Sequence, residues 1–153
     1  MQMLKLIRVL AFLILGCSPA FATVTLDNCE STPTSLSGTG PITDNGFTVG
    51  AGSNQLLVLF IGQSGGSGAV TSATWNGIAL TTITSLNNPP VRTEILVLKA
   101  PAQGNKSLSI TASPGYTTAN AILCAFNGVD QTTPTQGAFS QVSISQPIKS
   151  AVG

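Results

Sequence analysis

Val70-Thr71-Ser72-Ala73-Thr74-Trp75-Asn76-Gly77-Ile78-Ala79-Leu80-Thr81 is the stretch that decides the fold. Both central residues of a type I′ turn need positive φ, which Asn and Gly tolerate best, so Asn76-Gly77 marks a two-residue hairpin turn. That turn sets Trp75 opposite Ile78 and Ala73 opposite Leu80. Side chains alternate along a strand, so these four share one face and Ser72, Thr74, Ala79 and Thr81 share the other. One apolar face and one mostly polar face suit the outer layer of a sandwich. Trp75 is thereby expected in the core and not on a ligand.

Upstream, residues 55–61 (Gln-Leu-Leu-Val-Leu-Phe-Ile) are apolar on both faces, as in a strand covered on each side. Residues 62–68 (Gly-Gln-Ser-Gly-Gly-Ser-Gly) read as a surface loop. A phosphate cradle would need a helix after them, and the hairpin strand comes next instead. Downstream, strands are expected over 92–99, 107–111, 119–126 and 138–144. Turns are expected at Asn87-Asn88-Pro89-Pro90, over 101–105, at Pro114-Gly115 and at Asn127-Gly128. No segment keeps a 3.6-residue period. The spacing predicts an all-β chain, an antiparallel two-sheet sandwich built as one domain over 23–153.

Composition agrees. Only 7% of residues are charged, against about 25% in an ordinary soluble domain. Thr and Ser fill the gap, as in Thr81-Thr82-Ile83-Thr84-Ser85, which suits short strands and tight turns.

The first 22 residues have the grammar of a secretory signal peptide. Lys5 and Arg8 precede the apolar run Val9-Leu10-Ala11-Phe12-Leu13-Ile14-Leu15, and Ala20-Phe21-Ala22 offers a small-x-small cleavage site. Cleavage after Ala22 leaves Thr23 as the new terminus of a secreted, periplasmic or cell-surface protein. The apolar run is too short for a permanent span of ~20 residues. Ile14-Leu15-Gly16-Cys17 offers a competing lipobox-like reading, in which Cys17 is lipidated and the protein is tethered to a membrane. Without the leader, four cations face five acids, a net charge of −1. No basic stripe exists to bind phosphate backbones, so nucleic acid is not an expected partner.

Catalytic chemistry is not legible. The chain has no His, the commonest general base and metal ligand. No Ser sits in a Gly-x-Ser-x-Gly elbow. Glu94 shares a face with Arg92 by the period of two and reads as a surface pair. Asp27, Asp44 and Asp130 can meet only through folding, so no two-acid site is expected. Hard oxygens at Asp27-Asn28, Asp44-Asn45-Gly46 and Asp130 would suit calcium, but Asp and Asn are also ordinary turn residues; no cofactor is assigned. Cys29 and Cys124 remain after leader removal. An oxidising compartment favours a disulfide between them, while Cys124 within an apolar strand also reads as a small buried hydrophobe. Tyr116, after Pro114-Gly115, is the better exposed aromatic.

Four segments carry a wider likeness. They are Val49-Gly50-Ala51-Gly52-Ser53-Asn54-Gln55-Leu56-Leu57-Val58, the hairpin itself, Ile95-Leu96-Val97-Leu98-Lys99-Ala100-Pro101-Ala102-Gln103-Gly104 and Ala125-Phe126-Asn127-Gly128-Val129-Asp130-Gln131-Thr132-Thr133-Pro134. From about Thr43 the chain resembles immunoglobulin-like or jelly-roll modules of bacterial extracellular proteins. The resemblance implies a sandwich and an external compartment, and it supplies no site residues. Such modules continue into a further apolar strand past the position of Gly153, so either this is a fragment lacking its last strand, the reading favoured, or a partner or the N-terminal segment fills the gap. The function expected is that of a non-catalytic structural or adhesive module whose partner is a glycan or another β-module. A carbohydrate-binding module is the alternative, and a hydrolase comes third.

Overall fold

The computed structural model describes residues 23–36, 41–65, 68–114 and 118–134. The leader with Cys17 and Ala22, the turn residue Tyr116, and the strand expected over 138–144 lie outside the described residues. Among those described there are twelve strands and no helix. They are β1 (Thr25–Cys29), β2 (Thr34–Leu36), β3 (Ile42–Asp44), β4 (Thr48–Val49), β5 (Leu56–Ser64), β6 (Val70–Trp75), β7 (Ile78–Ala79), β8 (Thr81–Asn88), β9 (Val91–Lys99), β10 (Gly104–Asn105), β11 (Leu108–Ala112) and β12 (Thr118–Asn127). All pair antiparallel. The larger sheet has the order β1-β12-β5-β9-β8, with β2 beside β1 on the same edge of β12. The smaller runs β3-β11-β6-β7, and β10 pairs with β4 apart from both.

The hairpin forms as the sequence requires. Asn76 and Gly77 both take positive φ, 50° and 79°, Trp75 pairs with Ile78, and the Leu80 amide donates to the Ala73 carbonyl at 2.9 Å. Ala73, Trp75 and Leu80 are buried, but Ile78 is 51% exposed. The reason is local: β7 is two residues long at the sheet edge, so little lies over its first side chain. After Leu80 the chain leaves the smaller sheet and enters the larger one as β8.

The two sheets share one core. Leu57, Leu59 and Ile61 of β5, Leu96 of β9 and Ala119, Ala121, Leu123 and Ala125 of β12 face Ala73, Trp75, Leu108 and Ile110 of the smaller sheet. Trp75 is fully buried. Phe47 meets it edge-on, with ring centroids 6.0 Å apart. Its indole N–H donates to the Ala102 carbonyl at 2.9 Å, which removes the cost of burying an unpaired donor.

Several expectations need correction. Gly104 and Asn105, placed in a turn, pair with β4 as β10, and Asn127 ends β12. Gly62, Gln63 and Ser64 belong to β5 and not to the loop. They pair with Thr93, Arg92 and Val91 of β9 on one side and with Asn120, Ala119 and Thr118 of β12 on the other, so two ladders overrule the turn propensity of Gly. Asn87 and Asn88 likewise belong to β8, leaving Pro89-Pro90 to make the turn.

Cys29 and Cys124 stand opposite each other across β1 and β12 and are joined by a disulfide 95 residues apart in sequence. In the chain-entropy account a loop of this size stabilises by ~4–5 kcal/mol. Reduction should therefore lower the unfolding free energy by that order, measured in denaturation curves that use Trp75 fluorescence. Trp75→Ala should cost about 3–5 kcal/mol and Trp75→Phe less, both read by far-ultraviolet circular dichroism because each variant removes the only Trp. Equal costs for the two variants would contradict the packing described.

Candidate functional site

Glu30 follows β1 at the point where the edge ladder on β12 breaks before β2. Its amide donates to the Leu123 carbonyl at 3.0 Å, and its Oε2 accepts from the Leu123 amide at 2.7 Å. The carboxylate thus stands where a strand carbonyl would otherwise serve. Asp44 ends β3 in the smaller sheet and accepts from the Gly46 amide at 2.7 Å and the Thr34 hydroxyl at 3.1 Å. The two carboxyl groups hydrogen-bond to each other. Desolvation, and then the Asp44 carboxylate beside it, push Glu30 up to about 7. The proton donated by Glu30, with the Gly46 and Thr34 donors, holds Asp44 below its ordinary value. One proton therefore joins the edges of the two sheets beside a hollow of about 370 Å³ lined by Asn28, Ser31, Thr32 and Phe47 among others.

This juxtaposition of two acids was not legible in the sequence, because 14 residues and two strand breaks separate them. The carboxyl groups touch, whereas glycoside hydrolysis needs them roughly 5–9.5 Å apart. Their oxygens also serve backbone and hydroxyl donors, as at a structural junction. The other acids are scattered. Asp27 Oδ2 accepts from the Gly50 amide at 2.7 Å, and Asp130 caps its own turn through Thr132 and Thr133. No three acid, Cys or His side chains converge as metal ligands among the described residues; of the three calcium candidates, Asn28 and Asp44 line one hollow with Glu30, and Asp130 is not part of it. Glu94 corrects the surface-pair expectation. It pairs with Arg92, Nε to Oε1 at 2.7 Å, yet it is 2% exposed because this face of β9 points inward, where Val70 also donates to it at 2.9 Å. The period of two showed the pairing but not which face was covered.

The other site is a surface. Outward-facing positions of the larger sheet carry Leu56, Val58 and Phe60 on β5, Val91, Ile95 and Val97 on β9, Leu86 on β8, and Ile122 and Phe126 on β12. Leu56, Val58, Val97 and Val129 pack into a second, smaller cluster with Ile83, Ile95 and Phe126 against it. Of six large hydrophobic side chains exposed among the described residues, Val24, Leu26, Phe60, Leu86 and Val91 lie on this face or its rim, and only Ile78 lies elsewhere. Singly exposed apolar side chains are ordinary, but a clustered set marks a surface made to be covered. Two hollows indent it. One of about 330 Å³ runs from Val24 and Pro134 across Val58 and Val97 to Ile83. The other, about 430 Å³, lies over Gly62 between Phe60, Thr93 and Asn120.

The chain matches no family model, no curated protein and no solved structure.

The carboxyl pair fixes a pH dependence. Glu30 binds its proton more tightly in the fold than in the open chain, so its contribution is whole below the ordinary carboxylate range and is lost as pH rises through about 7. Asp44 contributes above its ordinary range and loses that as pH falls through its lowered value. Stability from the pair should be greatest near the ordinary carboxylate range, decline as pH rises to about 7 and level off above it. Glu30→Gln keeps a donor for Asp44 and an acceptor for Leu123, and should flatten that decline in denaturation curves taken across the range. A decline unchanged in the variant would place its origin elsewhere.

Proposed function

We propose that this chain is an exported, non-catalytic β-sandwich module with a structural or adhesive role in an extracellular or cell-surface protein, and that the outward face of its larger sheet is where it packs against a further layer. The apolar face carries this reading. A two-sheet sandwich standing alone in water would alternate apolar-in and polar-out on its outer strands. Here the outward residues of β5 and β9 include Leu56, Val58, Phe60, Val91, Ile95 and Val97 beside Gly62, Ser64 and Thr93, with Lys99 the only charged side chain among the outward positions of β5, β9 and β12. The leader pattern and the Cys29–Cys124 disulfide support an oxidising destination.

One observation favours sugar binding as a second reading. Bare Gly62 leaves the hollow beside Phe60 open, and Thr93, Asn120 and the Ser64–Thr118 hydroxyl pair, 2.7 Å apart, border it. An apolar ring with hydroxyl and amide groups beside it is the chemistry of a saccharide subsite.

Produced in a bacterial host with its own leader, the protein should be recovered outside the cytoplasm with Thr23 first and no free thiol. It should neither hydrolyse nor be retained on a panel of insoluble polysaccharides. Cytoplasmic retention with the leader intact, or polysaccharide hydrolysis, would overturn the reading. Retention lost in Phe60→Ala would transfer support to the sugar reading.

A further inference from the structure

We propose that β8 is a self-pairing edge, to which a second copy of this chain adds its own β8, antiparallel about a two-fold axis at Leu86.

Three observations carry it. The first is a contrast among the sheet edges. An open strand edge templates further strands, and proteins blunt it with short strands, charges, proline or bulges. On the far side of β12, β1 carries Asp27 and a bulge between Leu26 and Asn28, and β2 has three residues. The smaller sheet ends on β3, three residues closing on Asp44, and on β7, two residues long. β8 ends the larger sheet with eight residues and neither charge nor proline. Its register slips once, at Ile83, and residues 84–88 then run unbroken beside β9. Ser85, Leu86, Asn87 and Asn88 are all exposed, so among the described residues nothing overhangs this edge.

The second is the direction of the peptide groups. The Gly65 amide donates to the Pro90 carbonyl at 2.8 Å, and the Ala100 amide donates to the Gln55 carbonyl at 3.0 Å. Between these points β9 keeps a single register on β5. Its even-numbered residues therefore bond to β5, while Val91, Thr93 and Ile95 bond to β8. Their partners there are Asn88, Leu86 and Thr84. Ser85 and Asn87 are left with N–H and C=O directed out of the sheet.

The third is self-complementarity. Setting Ser85 opposite Asn87 of the second copy, twice over, pairs all these groups in the closely bonded positions of an antiparallel ladder. The same register sets Leu86 against its twin in a non-hydrogen-bonded pair, with Cα atoms about 4.5 Å apart, and Thr84 against Asn88. Apolar thus meets apolar and hydroxyl meets amide. Leu86 is 60% exposed in the single chain. With no charge on the strand, two copies meet without repulsion, and a two-fold interface uses one patch twice. A strand of another protein could use the backbone groups, but the side-chain match is to this sequence itself. Five residues of edge fall short of a standard interface, so the association is weak and shows at high protein concentration.

The test is a dilution series of the mature protein from the millimolar to the micromolar range, followed by amide NMR and sedimentation velocity. At the concentrated end sedimentation should show dimer, and the Ser85 and Asn87 amides should exchange with solvent several-fold more slowly. Leu86→Lys sets two like charges face to face and should leave a monomer at every concentration, as should Leu86→Glu. Mixing the two variants should restore a dimer containing one of each. An unmoved Trp75 indole N–H resonance shows that both keep the fold; if either loses it, the exchange rates of the unaltered protein decide alone. Unaltered protein that stays monomeric throughout, a Leu86→Lys variant that still dimerises, or a mixture of the two folded variants that stays monomeric would each overturn the proposal. So would a dimer that leaves Ser85 and Asn87 unprotected, since it forms through another surface.

Discussion

A strand that is apolar on both faces has to be covered on both, and β5 imposes that constraint on everything around it. Leu57, Leu59 and Ile61 point one way and Leu56, Val58 and Phe60 the other. The first set is satisfied by the smaller sheet, where Trp75 fills the centre and Phe47 closes its edge. Of the second set, Leu56 and Val58 are buried against Val97 and Val129, while Phe60 is 38% exposed and Leu86 and Val91 on the same face are more so. Burying an apolar side chain is worth about 1.5–3 kcal/mol, so leaving these three open is an unused driving force for association. The account of function stems from that asymmetry between the faces.

The edge of the sandwich is held differently. At β1 and β2 the sequence is polar and the strands are short, so packing alone cannot fix them. Covalent and electrostatic ties act instead. The disulfide fastens β1 to β12, and one residue later the Glu30 carboxyl bridges the broken ladder on Leu123 and reaches Asp44 on the other sheet. A shared proton thus helps to join the sheets near neutral pH. At the other end Gln55, buried, bonds to Gly50, Asn127, Gln103 and Gln131, a network whose satisfied groups fix the course of the chain leaving β12.

How much was legible depends on how local each signal is. Asn76-Gly77 dictates its own backbone, so the hairpin, its register and the burial of Trp75 could be read from a dozen residues. The strands β5, β9, β11 and β12 announced themselves through dense aliphatics. β8 did not, because its Thr and Ser residues are compatible with either face of an edge strand, and β1 to β4 are too short and polar to show a period. The contact of Glu30 with Asp44 arises from two chain reversals and has no local signature. The inward direction of Glu94 depends on which side of β9 is covered, which no period of two can tell. Residues 55–61 did show two apolar faces. Which partner covers the outer one is a question of tertiary arrangement that local pattern does not answer.

Carbene footprinting of the folded, full-length mature protein tests the central claim most directly, since a photolysed diazirine inserts into whatever side chain solvent can touch. Phe60, Leu86 and Val91 should be labelled nearly as weakly as the interior residues Leu57 and Leu96, and far less than Ile78. Heavy labelling of those three, at the level of Ile78, would mean that the outer face of the larger sheet is bare in the native protein, and would contradict the account.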